Sequence, residues 1–220
     1  RASRFIKRTF DIVAASLLLL ALAPLLLSVA WLVSRDGGPA TFGHTRIGRH
    51  GKPFRCLKFR SMVIDAQARL SELLARDPEA RAEWERDFKL KNDPRITPLG
   101  NFIRKTSLDE LPQLWSIFEG DMSFVGPRPA LYNQDDLIAL RTEKGVHTLV
   151  PGLTGWAQVN GRNTLSWDER FRLDVWYVDH RSFLLDLRIL LLTVLRVFQA
   201  RGVAQPGHAT MPRFTGDHDV

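Results

Sequence analysis

Apolar positions crowd one stretch of the chain and then thin out. Residues 12–33 read IVAASLLLLALAPLLLSVAWLV, apolar but for two serines and interrupted by Pro24. That is the length of a membrane helix. A basic, amphipathic RASRFIKRTFD leads into it. A cleaved signal peptide fits poorly, because the apolar run is too long and no small-residue cleavage pattern closes it before Trp31 and Arg35. Basic residues flank both ends: Arg1, Arg4, Lys7 and Arg8 before, then Arg35, Arg46, Arg49 and Lys52 after. Positive flanks stay on the cytoplasmic side, so a helix that enters the bilayer and returns satisfies both, whereas a spanning one would carry a cluster across. Pro24 supplies the bend, since it lacks an N–H and clashes with the carbonyl four residues back.

Shorter patterns follow. TFGHTRIG and KPFRCLKFR alternate between turn signals and predict one small β-hairpin, in which Lys58 and Arg60 would share a face. Residues 63–76 form a charged helix that Pro78 ends, and 79–90 resume helically with Trp84 and Phe88 four apart. Turns and a short helix cover NDPRITPLGNFIRK, and 130–147 read as helix. Ser166 and Glu169 form a capping box that opens a helix to about Asp179. Residues 182–200 form a last helix, apolar apart from a stripe through Asp186, Thr193 and Arg196, which is either core or an in-plane membrane helix.

Composition narrows the partners. Thirty-one Lys and Arg against 24 Asp and Glu leave a net charge of +7, an excess that asks for an anionic partner such as lipid head groups, nucleotide phosphates or nucleic acid. The single cysteine, Cys56, excludes an internal disulfide and a cysteine zinc site.

Chemistry concentrates in RKTSLDELPQLWSIFEGDMSFVGPRP, from Arg104 to Pro129. Asp109 and Glu110 adjoin, and Gly126, Pro127 and Pro129 make a rigid turn that displays Arg128, a planar guanidinium suited to phosphate. Ser107 and Glu110 also read as a capping box, which would set the acid pair in a first helical turn, where the dipole keeps a carboxylate ionised and favours bound phosphate. PGLTGWAQVNGRN, from Pro151, is glycine-rich but no P-loop, since the GK[ST] ending is missing.

The strings KFRSM, TSLDELPQLW, GDMSFVGPRP and PGLTGWAQVNGRN, in this order, resemble the bacterial sugar transferase family over residues 5–208. These are monotopic phosphoglycosyl transferases, which load a sugar phosphate from a UDP-sugar onto undecaprenyl phosphate. The resemblance implies an α+β, mainly helical fold: a re-entrant membrane helix (1–35), a small β-hairpin, and a compact cytosolic catalytic domain (36–220) with membrane-surface amphipathic helices. It implies Asp109 as nucleophile and Glu110 as general base, with both as ligands of Mg2+. Lys58, Arg60, Arg104 and Arg128 become phosphate contacts, with Gln158 and Arg162 as secondary substrate contacts. It places the chain on the cytoplasmic face of the bacterial inner membrane, with no nucleic-acid partner and with homo-oligomer formation left open. The family breaks its re-entrant helix at a Ser-Pro pair. Here the pair is Ala23-Pro24, which lacks a hydroxyl to bond a freed carbonyl. The tail through His208 resembles small, bacillosamine-type members, whereas the 63–90 insertion looks more like hexose-transferring ones. A membrane-attached basic binding protein or scaffold without catalysis is the alternative; it accounts for charge and anchor but leaves SLDELPQL and VGPRP unexplained.

Overall fold

A computed structural model describes residues 2–87, 90–161 and 165–199. Its longest element is α1 (Ala2–Ser34), which runs without interruption through Pro24. The Ser28 hydroxyl donates to the Pro24 carbonyl at 2.7 Å, which is not the carbonyl that the proline frees; that one belongs to Leu20, four residues back.

One stripe of α1 is buried along its length: Asp11, Ala15, Val29 and Val33, all at helical spacing. Phe5, Leu17, Leu20, Leu27 and Trp31 face outward. The helix therefore lies along the domain rather than standing off it, and both its ends are bonded there. Lys7, Arg8 and Asp11 hold the first turns. At the far end Arg60 donates to the Val33 carbonyl at 3.0 Å.

The expected hairpin is present as β1 (Thr41–Ile47) and β2 (Pro53–Phe59), antiparallel, with His44 opposite Cys56. Cross-strand partners share a face, so Arg46, His44, Cys56 and Lys58 line the same side. The helices α2 (Ala66–Arg76) and α3 (Pro78–Asp87) follow. Pro78 does not precede a restarted helix but opens it, with the Asp77 carboxylate accepting from the Glu79 and Ala80 N–H groups. Phe88 lies outside the described residues.

Next, α4 (Pro98–Lys105) starts at a Thr97 cap, whose hydroxyl accepts from Gly100 N–H at 2.8 Å. A Cβ at Gly100 would meet the Ser61 carbonyl oxygen at 1.9 Å, so this helix can press on the backbone just past the hairpin only because the residue is glycine. A 3-10 turn, Leu108–Glu110, leads to α5 (Gln113–Glu119). Then come β3 (Ser123–Val125), β4 (Ala130–Leu131), α6 (Asp135–Glu143), β5 (Gly152–Thr154), α7 (Trp156–Val159), α8 (Trp167–His180) and α9 (Phe183–Gln199). The sheets are β2-β1-β4 and a parallel β3-β5 pair. Helix occupies less of 130–147 than its composition suggests, because β4 pairs with β1 there first. The Ser166–Glu169 capping box is formed in both directions.

The main core joins Leu114, Ile117, Met122, Val125, Tyr177 and Ile189 to Ala15 of α1. A smaller cluster packs Phe59 and Ile103 on Val29 and Val33. In α9 the polar stripe turns inward: Asp186 is 5% exposed, and the Thr193 hydroxyl meets that of Thr154 at 2.8 Å. Leu184, Leu187, Leu191, Val194 and Leu195 face outward beside α1, where Phe10 packs edge-on against Phe183. The apolar faces of α1 and α9 thus lie side by side on the outside.

Candidate active site

The acid pair sits between the hairpin and the Gly126–Pro129 loop. Lys58, at the end of β2, places its ammonium 2.6 Å from Glu110 Oε1 and 3.6 Å from Asp109 Oδ2. From the other side Arg128 reaches Glu110 Oε1 at 3.4 Å. Arg104, on the last turn of α4, is steadied by its Nε bond to the Ser61 hydroxyl at 2.8 Å and lies within electrostatic reach of Asp109. Burial pushes the Asp109 carboxyl above the ordinary aspartate value, and the neighbouring Glu110 adds to this, while Lys58 and Arg104 pull it back. The pair is therefore partly desolvated and framed by cations, a setting in which fixed positive groups can stabilise charge on a bound phosphate.

The capping-box reading of Ser107 and Glu110 is not met. Ser107 takes a left-handed conformation (φ 58°) and its side chain caps nothing. The physical reason lies upstream: Thr97 and Pro98 already start a helix that ends at Lys105, so Ser107 is the exit residue of α4, a position that favours glycine. A serine held there stores about 1 kcal/mol of strain immediately before the acid pair.

Arg60 is not brought to the acid pair. It lies one residue beyond the strand, where alternation no longer governs direction. Its guanidinium instead grips Asp36 at 2.7 and 2.6 Å and the carbonyls of Val33, Pro39 and Met62. These bonds clamp the end of α1 to the hairpin, and the Arg60 hydrogen bond lowers the Asp36 carboxyl to about 2.

Gln158 of α7 lies next to the Arg128 loop, since a Cβ at Gly155 would meet both the Gly126 carbonyl oxygen and Gln158 Oε1. Its amide is buried, with both polar atoms unpaired. Arg162 and His208 lie outside the described residues. Pro24 is inside α1, exposed and well away from the acid pair in sequence.

Two features escaped the sequence. Arg46 shares the Lys58 face of the hairpin and donates to the Pro129 carbonyl at 3.5 Å, one residue past Arg128. Burial lowers its pKa, and the nearby Arg128 lowers it further. The alternation of TFGHTRIG could have placed it on that face.

The second feature lies behind the loop. Arg141 donates one Nη to the Arg128 carbonyl at 2.8 Å and the other to Asp174 at 2.6 Å. No local signal marks this pair, because its members stand 33 residues apart. The loop is also held through its backbone: Gly126 N–H donates to Thr154 and Gly152 N–H to Pro127, both at 2.9 Å.

Comparison with known proteins shows the family. The bacterial sugar transferase pattern matches residues 2–200, and the chain belongs to that family. It is 53% identical over 203 residues to the undecaprenyl-phosphate galactose phosphotransferase of Salmonella typhimurium, covering 92% of this chain and 42% of that protein. It is 37% identical over 204 residues to the UDP-glucose:undecaprenyl-phosphate glucose-1-phosphate transferase of Escherichia coli, covering 89% and 41%. A sugar transferase of Bacillus subtilis, EpsL, is 45% identical over 221 residues, covering 98% of both chains. The chain thus spans about two fifths of the length of the first relatives it matches.

Proposed function

We propose that this chain transfers a sugar 1-phosphate, of the hexose class, from a UDP-sugar to undecaprenyl phosphate, releasing UMP as the first membrane step of polysaccharide or other glycoconjugate assembly. The observation that carries the reading is the Lys58 ammonium set between Asp109 and Glu110, with Arg128 on the far side of Glu110. A binding module or scaffold would leave surplus positive charge on its surface. Here cations converge, partly buried, on two carboxylates. The names of the galactose and glucose transferases among the relatives favour a hexose.

In the proposed reaction an Asp109 oxygen attacks the phosphorus that bears the sugar. The bond from that phosphorus to the bridging oxygen breaks, and UMP leaves with the electron pair. An aspartyl phosphosugar remains. An oxygen of the lipid phosphate then attacks the same phosphorus, Asp109 departs as carboxylate, and the diphosphate-linked sugar forms. Glu110 takes the proton if the lipid phosphate carries one. Lys58, Arg104 and Arg128 stabilise the charge on the transferring group.

Magnesium is the proposed cofactor. Among the described residues no group of three His, Cys, Asp or Glu side chains forms a metal cage. Two adjacent carboxylates suit a hard cation bound mainly through substrate phosphates, so Asp109 and Glu110 would be its protein ligands. When bound it neutralises diphosphate charge.

The membrane arrangement proposed is re-entrant and cytoplasmic. α1 is long and apolar enough to cross a bilayer, yet both its ends are bonded to the polar domain. A crossing helix would have to carry one of these contacts into lipid. The outward faces of α1 and α9 would rest against lipid and hold the acid pair at the height of the carrier's phosphate.

The test is UMP release by the full chain in lipid nanodiscs containing undecaprenyl phosphate and magnesium, with UDP-galactose, UDP-glucose and UDP-N-acetylglucosamine in turn. Release with a UDP-hexose supports the reading, and no release with any donor refutes it.

A further inference from the structure

Lys7, Arg8 and Asp11 open an apolar helix and read, by charge alone, as a head-group anchor. All three turn inward. Lys7 donates to Asp186 Oδ2 at 2.6 Å and to the Val125 carbonyl at 2.9 Å. Asp186 also accepts from the Tyr177 hydroxyl, which holds the carboxylate from the other side. Asp11 is 3% exposed and accepts from the Phe124 N–H at 3.2 Å. Arg8 donates to the carbonyls of Ile117 and Phe118 at 2.6 and 2.7 Å, satisfying the last turn of α5.

These bonds end on two backbone segments. One is β3, whose last residue, Val125, stands three positions before Arg128. The other is α5, which begins three positions after Glu110. An anchoring lysine leaves its ammonium among water and head groups, so turning it inward, partly buried, onto a buried carboxylate has no anchoring purpose and carries a desolvation cost. The arrangement makes sense if what it secures is the backbone at Val125.

We infer that Lys7 is a positioning residue for Arg128, acting through the Val125 carbonyl, with Asp186 and Tyr177 orienting the lysine. The membrane helix is then a structural part of the catalytic centre and not its tether alone. Beyond Val125 β5 takes over, since Thr154 accepts from Gly126 N–H and Gly152 N–H donates to Pro127, so the backbone leading to Arg128 is held by α1 at Val125 and by β5 at Gly126 and Pro127. This inference rests on the phosphosugar-transfer reading above.

The experiment uses the full chain in nanodiscs and measures UMP release and donor KM for the wild type, Lys7→Met, Lys7→Arg, Arg128→Met and the Lys7→Met/Arg128→Met double variant. Lys7→Met is expected to lower kcat/KM for the UDP-sugar about ten- to a hundred-fold, the effect of a misplaced binding group. Lys7→Arg should restore part of it. The double variant should be no slower than Arg128→Met, because one effect is routed through the other. Asp186→Asn, which keeps the side-chain volume, should show the same non-additivity and serves if Lys7→Met does not fold. Losses that multiply in the double variants would make Lys7 a general stabilising residue and overturn the inference. Equal turnover by wild type and Lys7→Met would overturn it as well, while absence of UMP release from the wild type would overturn the functional reading beneath it.

Discussion

Arg141→Met tests how the Arg128 loop is supported. Arg141 and Asp174 have side chains 7% and 5% exposed and meet at 2.6 Å. Removing one partner of such a pair leaves an uncompensated buried charge, a loss of 3–5 kcal/mol on the order of magnitude usual for buried pairs. Two features place this case at the lower end. Arg170 also attracts Asp174, and burial already pushes the Asp174 carboxyl upward, so it can neutralise by taking a proton. A loss of about 3 kcal/mol corresponds to a fall in Tm of roughly 6–12 °C for a chain of this size. Arg141→Met/Asp174→Leu should recover stability to within about 1 kcal/mol, because an apolar pair of similar volume replaces the ions without their desolvation. Activity should not recover, since the Arg128 carbonyl has still lost its donor. The assay pairs thermal melts in detergent, followed by tryptophan fluorescence, with UMP release. A single variant melting within about 2 °C of wild type would contradict the burial argument; a double variant restored in both readouts would show that Arg141 does not hold the loop.

Other outcomes follow from the same geometry. His147 is buried, with its pKa lowered to about 4, chiefly by burial and then by Arg141. Between pH 6.5 and 4 the unfolded chain therefore binds the extra proton, so stability is complete above pH 6.5 and falls by about 3 kcal/mol towards pH 4. Thermal melts across that range should show the fall in wild type and a flatter profile in His147→Gln. Arg46→Met should weaken UDP binding about tenfold, as expected for losing one charged hydrogen-bond donor, while leaving the melting temperature nearly unchanged because it also relieves repulsion from Arg128; isothermal titration and melts measure the two. Removing residues 1–35 should abolish transfer to membrane-embedded carrier even where the remainder is soluble, and full activity in that fragment would refute the role given to α1.

What was legible in the sequence was local. The hairpin announced itself by alternation between turns, and the Ser166–Glu169 box by a spacing that nothing upstream contested. The same spacing at Ser107 failed because an earlier cap had already claimed the helix. Lys58 fell where strand parity put it, whereas Arg60 stood one residue beyond the strand and turned to Asp36. The direction of a charged side chain on an apolar helix is decided by partners far away in the chain. Lys7 meets Asp186 across 179 positions, and Thr193 of the polar stripe in α9 meets Thr154. Periodicity found both helices but could not say which face of α9 looks inward, because the polar face is the buried one.

The central claim is that Asp109 becomes covalently loaded with the sugar phosphate. Intact-protein mass measured after mixing the full chain with UDP-galactose or UDP-glucose and magnesium, without lipid acceptor and alongside Asp109→Asn, tests it most directly. The account predicts a hexose-phosphate adduct on the wild type alone, discharged when undecaprenyl phosphate is added. An adduct of equal yield on Asp109→Asn, or UMP release by that variant at the wild-type rate once lipid is present, would contradict it.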